Sequence, residues 1–155
     1  MDGWLHTGDL GELDADGFLH INGRKKDLLV LSNGKKVVPS HLESMLLADP
    51  CIDQAVICGE AKNFLVALVV PHWANLTAAM SVPEVHAGDP KVRAFLEKRI
   101  QAALKDMAAW EQVKKIVVLP QPFSAANDEL TVSLKLRRNV ILDHNRAALD
   151  GIYRE

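Results

Sequence analysis

Phe64-Leu65-Val66-Ala67-Leu68-Val69-Val70 is an unbroken apolar run, rich in β-branched residues and closed by Pro71. Such a run, bounded by turn formers, predicts a strand. Ala55-Val56-Ile57-Cys58 lies a short polar loop upstream, across Gly59, and predicts a neighbouring strand. Ile116 to Leu119, ended by Pro120, supplies a third. Between the second and third strands stands Asp89-Pro90, an N-cap followed by proline at the first helical position. Val92, Phe95, Leu96, Ile100, Ala103, Leu104 and Met107 then recur at helical spacing, with Lys91, Arg93, Glu97, Lys98 and Lys105 on the other side.

Upstream of the strands, Ser40-His41-Leu42-Glu43 fits a capping box, opening a helix whose inner face carries Leu42, Met45 and Leu46 and which Asp49-Pro50 ends. The first quarter is punctuated by Asp16-Gly17, Asn22-Gly23 and Asn33-Gly34, pairs that supply the positive backbone angles of tight turns. Leu10–Leu13 with Phe18–Asn22 predicts one hairpin, and Leu28–Leu31 with Lys35–Val38 a second. Arg24-Lys25-Lys26 makes an exposed connector between them. After a polar loop through Asn127-Asp128-Glu129, a last helix is expected from about Leu134. The predicted fold class is α+β: small N-terminal hairpins, then a roughly three-stranded sheet flanked by helices.

At 155 residues the chain fits one domain with at most a small appendage. Its 48% hydrophobic and 25% charged composition excludes disorder. A formal charge of −2 gives no bulk attraction to nucleic acid or to an anionic membrane. No apolar run approaches the roughly 18 residues of a membrane span, and the N-terminus carries no secretory signal pattern. Cys51 and Cys58 have no metal-ligand spacing and are expected as buried free thiols of a reducing, cytoplasmic compartment. The six histidines show no metal spacing, so no metal site is expected. There is no Gly-x-Ser-x-Gly nucleophile elbow.

Four places could carry chemistry. Asp9, in a Thr7-Gly8-Asp9 turn, offers a carboxylate able to accept two hydrogen bonds from a vicinal diol. Arg24 to Asp27 and Lys135 to Arg138 are basic runs, which by themselves suit a solvated face. Asn33-Gly34, with Lys35-Lys36, is by itself a turn with basic flanks.

Gly3-Trp4-Leu5-His6-Thr7-Gly8-Asp9-Leu10-Gly11, Gly23-Arg24-Lys25-Lys26-Asp27, and Lys135 within Leu130–Arg138 stand in the order and spacing of the closing portion of the AMP-forming acyl-CoA synthetases, which the chain resembles over essentially its whole length. The resemblance implies an enzyme of ATP, Mg2+ and coenzyme A that activates a carboxylic acid. In it, Asp9 would hold the ribose hydroxyls and Arg24 would contact the nucleotide. Lys26 would be the hinge, where many members have aspartate. Gly34 would line the pantetheine tunnel, where members often have two adjacent glycines and this chain has Asn33 before Gly34. Lys135 would be the catalytic lysine of adenylation.

Val132 and Leu134 stand where many members have proline and glycine, and leucine before the lysine is similar to the long-chain fatty-acid branch. The implied division is 1–23 as the trailing segment of an N-terminal adenylation domain outside this chain, 24–28 as the hinge and 29–155 as a mobile lobe. That N-terminal domain would be the main partner and would supply the phosphate loop, the adenine pocket, the acyl tunnel and any membrane association. The chain alone is therefore expected to be inactive. Two alternatives stay open: a free-standing binding module of the same fold, and the lobe of an adenylating enzyme that loads a carrier protein.

Overall fold

The computed structural model describes residues 3–155. It opens on the predicted hairpin, β1 (Asp9–Leu13) against β2 (Leu19–Arg24), antiparallel with Leu13 opposite Leu19. Asp14 fastens the turn. Its carboxylate accepts the Asp16 and Phe18 amides at 2.9 Å each and pairs with His20 Nε2 at 2.7 Å. The His20 hydrogen bond and those backbone amides hold the Asp14 carboxyl below its ordinary value.

Asn22-Gly23 is not a turn. The strand β2 runs through it to Arg24, with a bulge at Asn22 opposite Leu10 and Gly11. Gly23 is there for space: a Cβ would meet Val38 Cγ1 at 2.7 Å and Ser40 Oγ at 2.8 Å. The Ser40 hydroxyl donates to the Asn22 carbonyl at 3.1 Å, tying the first hairpin to the chain beyond the basic connector.

A single 3-10 turn, Lys25–Asp27, leads to the second predicted hairpin, β3 (Leu29–Val30) with β4 (Lys36–Val37). Helix α1 spans Pro39–Leu47. Its N-cap is Val38, with no side-chain cap, and Pro39 sits at the first helical turn. The capping box expected at Ser40 and Glu43 does not form, because Ser40 already lies inside the helix and Glu43 is drawn into the interior. Leu42 and Leu46 are fully buried, as the inner-face reading requires.

The strands β5 (Ile52–Cys58), β6 (Leu65–Pro71) and, later, β7 (Val113–Val118) make the sheet, in the order β5-β6-β7. The pair β5–β6 is antiparallel and β6–β7 parallel. A parallel neighbour demands a long crossover, and here it contains α2 (Trp73–Met80) and the predicted α3 (Pro90–Ala103). Asp89 caps α3 by accepting the Lys91 amide at 2.8 Å. Helix α2 has no signal in the sequence pattern. It is eight residues long, buries only Leu76, and takes its cap from His72 Nδ1, which accepts the Asn75 amide at 3.3 Å.

β6 is central and buried along its whole length. Leu65, Ala67 and Val69 face a core made with α1, α2, α3 and the β3–β4 hairpin. Val66, Leu68 and Val70 face a second core with Phe123, Ile141, Leu149 and Ile152. The last three come from helices α4 (Arg138–His144) and α5 (Arg146–Arg154). Each leucine so buried contributes about 1.5–3 kcal/mol. The predicted last helix therefore begins at Arg138, not near Leu134, because Leu134 takes a left-handed backbone, φ +61°, that no α-helix continues. Both cysteines are free and buried, and burial pushes the Cys58 thiol up to about 12. Among the described residues no helix is long and apolar enough to cross a membrane.

The sheet's two edges expose backbone groups that need partners. Arg93 of α3 donates from Nε and Nη2 to the Ile116 carbonyl of β7, at 3.3 and 3.0 Å. At the β5 edge the partners are Glu43 and Arg138, which belong to the site.

Candidate functional site

Asp9 and Arg24 end the two strands of the first hairpin and face each other in register. The Arg24 guanidinium Nε stands 3.2 Å from Asp9 Oδ1. Asp9 is also seated by its own turn, where its amide donates to Thr7 Oγ1 at 3.2 Å, and the Lys25 amide closes onto the Gly8 carbonyl at 2.8 Å. Gly8 adopts φ +78°, a conformation that favours glycine. A carboxylate and a guanidinium thus lie at one end of the hairpin, both reachable from solvent.

Lys26 occupies the middle of the 3-10 turn, exposed, between extended residues Arg24 and Leu28. Its own side chain is committed to no core packing.

Lys135 lies not on a helix but in a tight loop. Leu130 and Leu136 form an isolated antiparallel bridge. Within it the Thr131 amide donates to the Lys135 carbonyl at 2.8 Å, and the Lys135 amide donates to Thr131 Oγ1 at 3.0 Å. The Leu134 amide donates to the Thr131 carbonyl at 2.8 Å. None of the ion pairs among the described residues involves the Lys135 ammonium. An open groove of about 1050 Å³ brings Lys135 together with Arg24, Lys26, Asp27, Arg137 and Arg138. The two basic runs, more than a hundred residues apart in sequence, share one cleft.

Gly34 stands elsewhere. It is the exposed tip of the β3–β4 hairpin at φ +83°, and it does not line that groove. Nothing lies within 4 Å of a Cβ built there, so within this chain only the backbone angle asks for glycine. The tip is steadied by the Ser32 amide donating to the Lys62 carbonyl at 3.0 Å, Ser32 Oγ donating to Asn63 Oδ1 at 2.8 Å, and Lys35 over the Trp110 ring at 4.5 Å.

Glu43 and Arg138 are the residues that sequence reasoning missed. Glu43 Oε1 accepts the Ile57 amide at 2.8 Å. Arg138 grips the same carboxylate with both terminal nitrogens, at 2.6 and 3.0 Å, and donates to the Ile57 carbonyl at 3.2 Å. Burial alone would lower the Arg138 pKa, but the hydrogen bond and charge of Glu43 outweigh it and hold the guanidinium firmly charged. The signal available in the sequence was the tandem Arg137-Arg138, of which only Arg138 is drawn inside.

Residues 26–155 match the AMP-binding enzyme C-terminal domain family, and the chain belongs to it. The long-chain-fatty-acid–CoA ligase FadD15 of Mycobacterium tuberculosis is 38% identical over 98% of this chain and 27% of its own length. The chain spans about a quarter of the length of the curated relatives it matches. Among solved structures, the adenylation domain of a carboxylate reductase from Mycobacterium chelonae superposes with a TM-score of 0.83 at 26% identity, over 99% of this chain and 24% of that one. The o-succinylbenzoate coenzyme A synthetase of Bacillus subtilis, in complex with AMP, superposes at 0.58 and 30% identity, over 90% of this chain and 24% of that one.

Proposed function

We propose that this member of the family is the mobile C-terminal lobe of a long-chain fatty-acid–CoA ligase. Residues 1–23 would close the adenylation domain, 24–28 would hinge and 29–155 would turn as a body. The reaction is ATP plus fatty acid to acyl-adenylate and pyrophosphate, then transfer of the acyl group to the thiol of coenzyme A with release of AMP.

One observation carries the reading: Lys135 shares an open groove with Arg24 and Lys26, and Asp9 stands on Arg24. Negative charge grows on the α-phosphate and carboxylate oxygens as pyrophosphate leaves, and an unpaired, exposed ammonium is suited to meet it. Asp9 would accept hydrogen bonds from the ribose hydroxyls, with Arg24 beside it contacting the nucleotide. Lys26, unburied on both sides, would absorb the rotation. Gly34, in its separate hairpin, would then face the pantetheine arm. Magnesium would enter with the ATP phosphates. The described residues offer no cluster of three or more metal ligands of their own.

Two further facts support the division. The family match begins at residue 26. Leu13, Phe18, Leu19 and Ile21 of the first hairpin are each at least 60% exposed, an apolar face that suits burial against a further domain. Identity of 38% to a coenzyme A ligase across the whole chain supports coenzyme A over a carrier protein as acceptor.

The test is fatty-acid-dependent exchange of pyrophosphate into ATP. The joined enzyme should exchange, Lys135→Ala should lose about 10²–10³ in rate, and the 155-residue chain alone should be silent. Unimpaired exchange in Lys135→Ala would remove the adenylation role; acyl-CoA formation by the chain alone would remove the two-domain reading.

A further inference from the structure

Burying a carboxylate is costly unless it is fully partnered. Among the described residues two charged side chains are buried, Glu43 and Glu129. Both hold an end of one loop, the loop that carries Lys135: Glu129 stands at its start, and Glu43, on α1, grips Arg138 at its end. Glu129 Oε2 accepts the Ser124 amide at 3.2 Å, and Oε1 pairs with His144 Nδ1 at 2.9 Å. The Glu129 carbonyl accepts the Arg137 amide at 2.8 Å, closing the loop's neck. Immediately beyond, Arg138 is clamped to Glu43 and to the Ile57 carbonyl, while Glu43 takes the Ile57 amide.

The clamp joins three pieces of chain that lie far apart in sequence: α1, the free edge of β5 and the start of α4. A mere cover for the strand edge could have been an exposed serine or water. A bidentate guanidinium is directional, and it fixes the backbone that bears it. Arg138 is three residues from Lys135, and the stretch between them is otherwise held only from within its own loop, by the Leu130–Leu136 bridge, the Arg137 amide on the Glu129 carbonyl and the Arg137–Asp128 ion pair at 3.5 Å.

We propose that Glu43 and Arg138 are positioning residues for adenylation. Their clamp on the β5 edge, with Glu129 bracing the other end, sets where the Lys135 ammonium can reach, while Glu43 and Arg138 themselves need touch no substrate. This rests on the adenylation role proposed for Lys135. A catalytic group displaced by about 1 Å can lose on the order of 10²-fold in rate, so the clamp's value lies in rate and not in affinity for ATP.

The experiment uses the full-length ligase carrying this lobe, with variants Lys135→Ala, Glu43→Gln and Arg138→Lys. Lysine keeps the buried charge but cannot fork, so Arg138→Lys guards against a variant that fails to fold. Pyrophosphate exchange reads adenylation; synthetic acyl-adenylate plus coenzyme A reads thioester formation in the same preparations. Expected for Glu43→Gln and Arg138→Lys is a loss of about 10–100-fold in kcat for exchange. KM for ATP and the thioester rate should stay within about threefold, and combining either variant with Lys135→Ala should add little. If Lys135→Ala leaves exchange intact, the underlying reading fails, and the positioning role with it. If Lys135→Ala is silent but the clamp variants exchange normally, or lose both half-reactions equally, the positioning inference alone is overturned.

Discussion

Leu134→Gly should stabilise this chain, although it deletes a large apolar side chain. Leu134 adopts φ +61° and is 73% exposed. Left-handed backbone costs a residue with a Cβ about 1–2 kcal/mol, and a side chain this exposed returns little by burial. Glycine removes that strain but raises the entropy lost on folding by about 0.5–1 kcal/mol. The balance is a gain of roughly 0–1.5 kcal/mol, centred near 0.7. For a chain of this size that is an increase of about 2 °C in Tm. Leu134→Val should move the other way, since a β-branched residue fits φ > 0 less well than leucine. Urea melts of the three forms measure both signs. A loss of more than about 1 kcal/mol in Leu134→Gly, or a valine variant as stable as the parent, would refute the strain argument and show that the leucine side chain holds the loop.

Three other outcomes rest on single contacts. In a Cys51→Ala background, Cys58 should resist a thiol reagent at pH 8.5: its folded pKa of about 12, against 9.0 ordinarily, lowers the thiolate population by about a thousandfold, and labelling at the denatured rate would show an open second core. Asp49 bonds Arg99 Nε at 2.7 Å and the Cys51 amide at 2.8 Å; burial pushes its carboxyl up, but those partners outweigh burial and hold it below 3.8. Stability from Asp49 is therefore present above about pH 3.8 and lost as pH falls through the lower folded value, so Asp49→Asn should cost about 1 kcal/mol at pH 7 and progressively less as pH falls below about 3.8, measured by urea melts; a cost that does not shrink with acid would mean that the charge is irrelevant. Gly23→Ala should push the first hairpin off Val38 and Ser40, at a cost of about 1–3 kcal/mol, and expose Arg24-Lys25-Lys26 to faster trypsin cleavage; an unchanged cleavage rate would mean that the hairpin does not depend on that contact.

Much of the architecture was legible because its causes are local. Asp16-Gly17 and Asn33-Gly34 each specify a turn from within a few residues, and both hairpins form there. Asp89-Pro90 announces α3 for the same reason, its cap lying two residues from its donor. Asn22-Gly23 misleads because the same dipeptide serves a distant need: Gly23 is small to admit Val38 and Ser40, and the turn it could make is never made. Leu134 misleads in the opposite sense, since nothing in a leucine signals a left-handed backbone, so the last helix was expected one turn early. Helix α2 is short and half-exposed, with a histidine cap that no pattern favours.

The site follows the same division. Asp9 and Arg24 are near enough in sequence for one hairpin to bring them together, and Lys135 stands out by its motif. Glu43 has two possible employments, a cap of its own helix or a partner for something remote, and only local sequence argues for the cap. What decides between them is the N–H and C=O of Ile57 at the sheet edge, which no neighbouring strand pairs. An edge exists only once the strand order is known, and the order β5-β6-β7 leaves β5 open on that side. The sheet therefore creates a demand for one donor and one acceptor, and Arg138 and Glu43 answer it from 95 residues apart. In answering it they hold the start of α4, and with it the loop of Lys135, against the edge of β5. A requirement of backbone chemistry at the sheet edge thereby determines where a charged side chain stands in the groove.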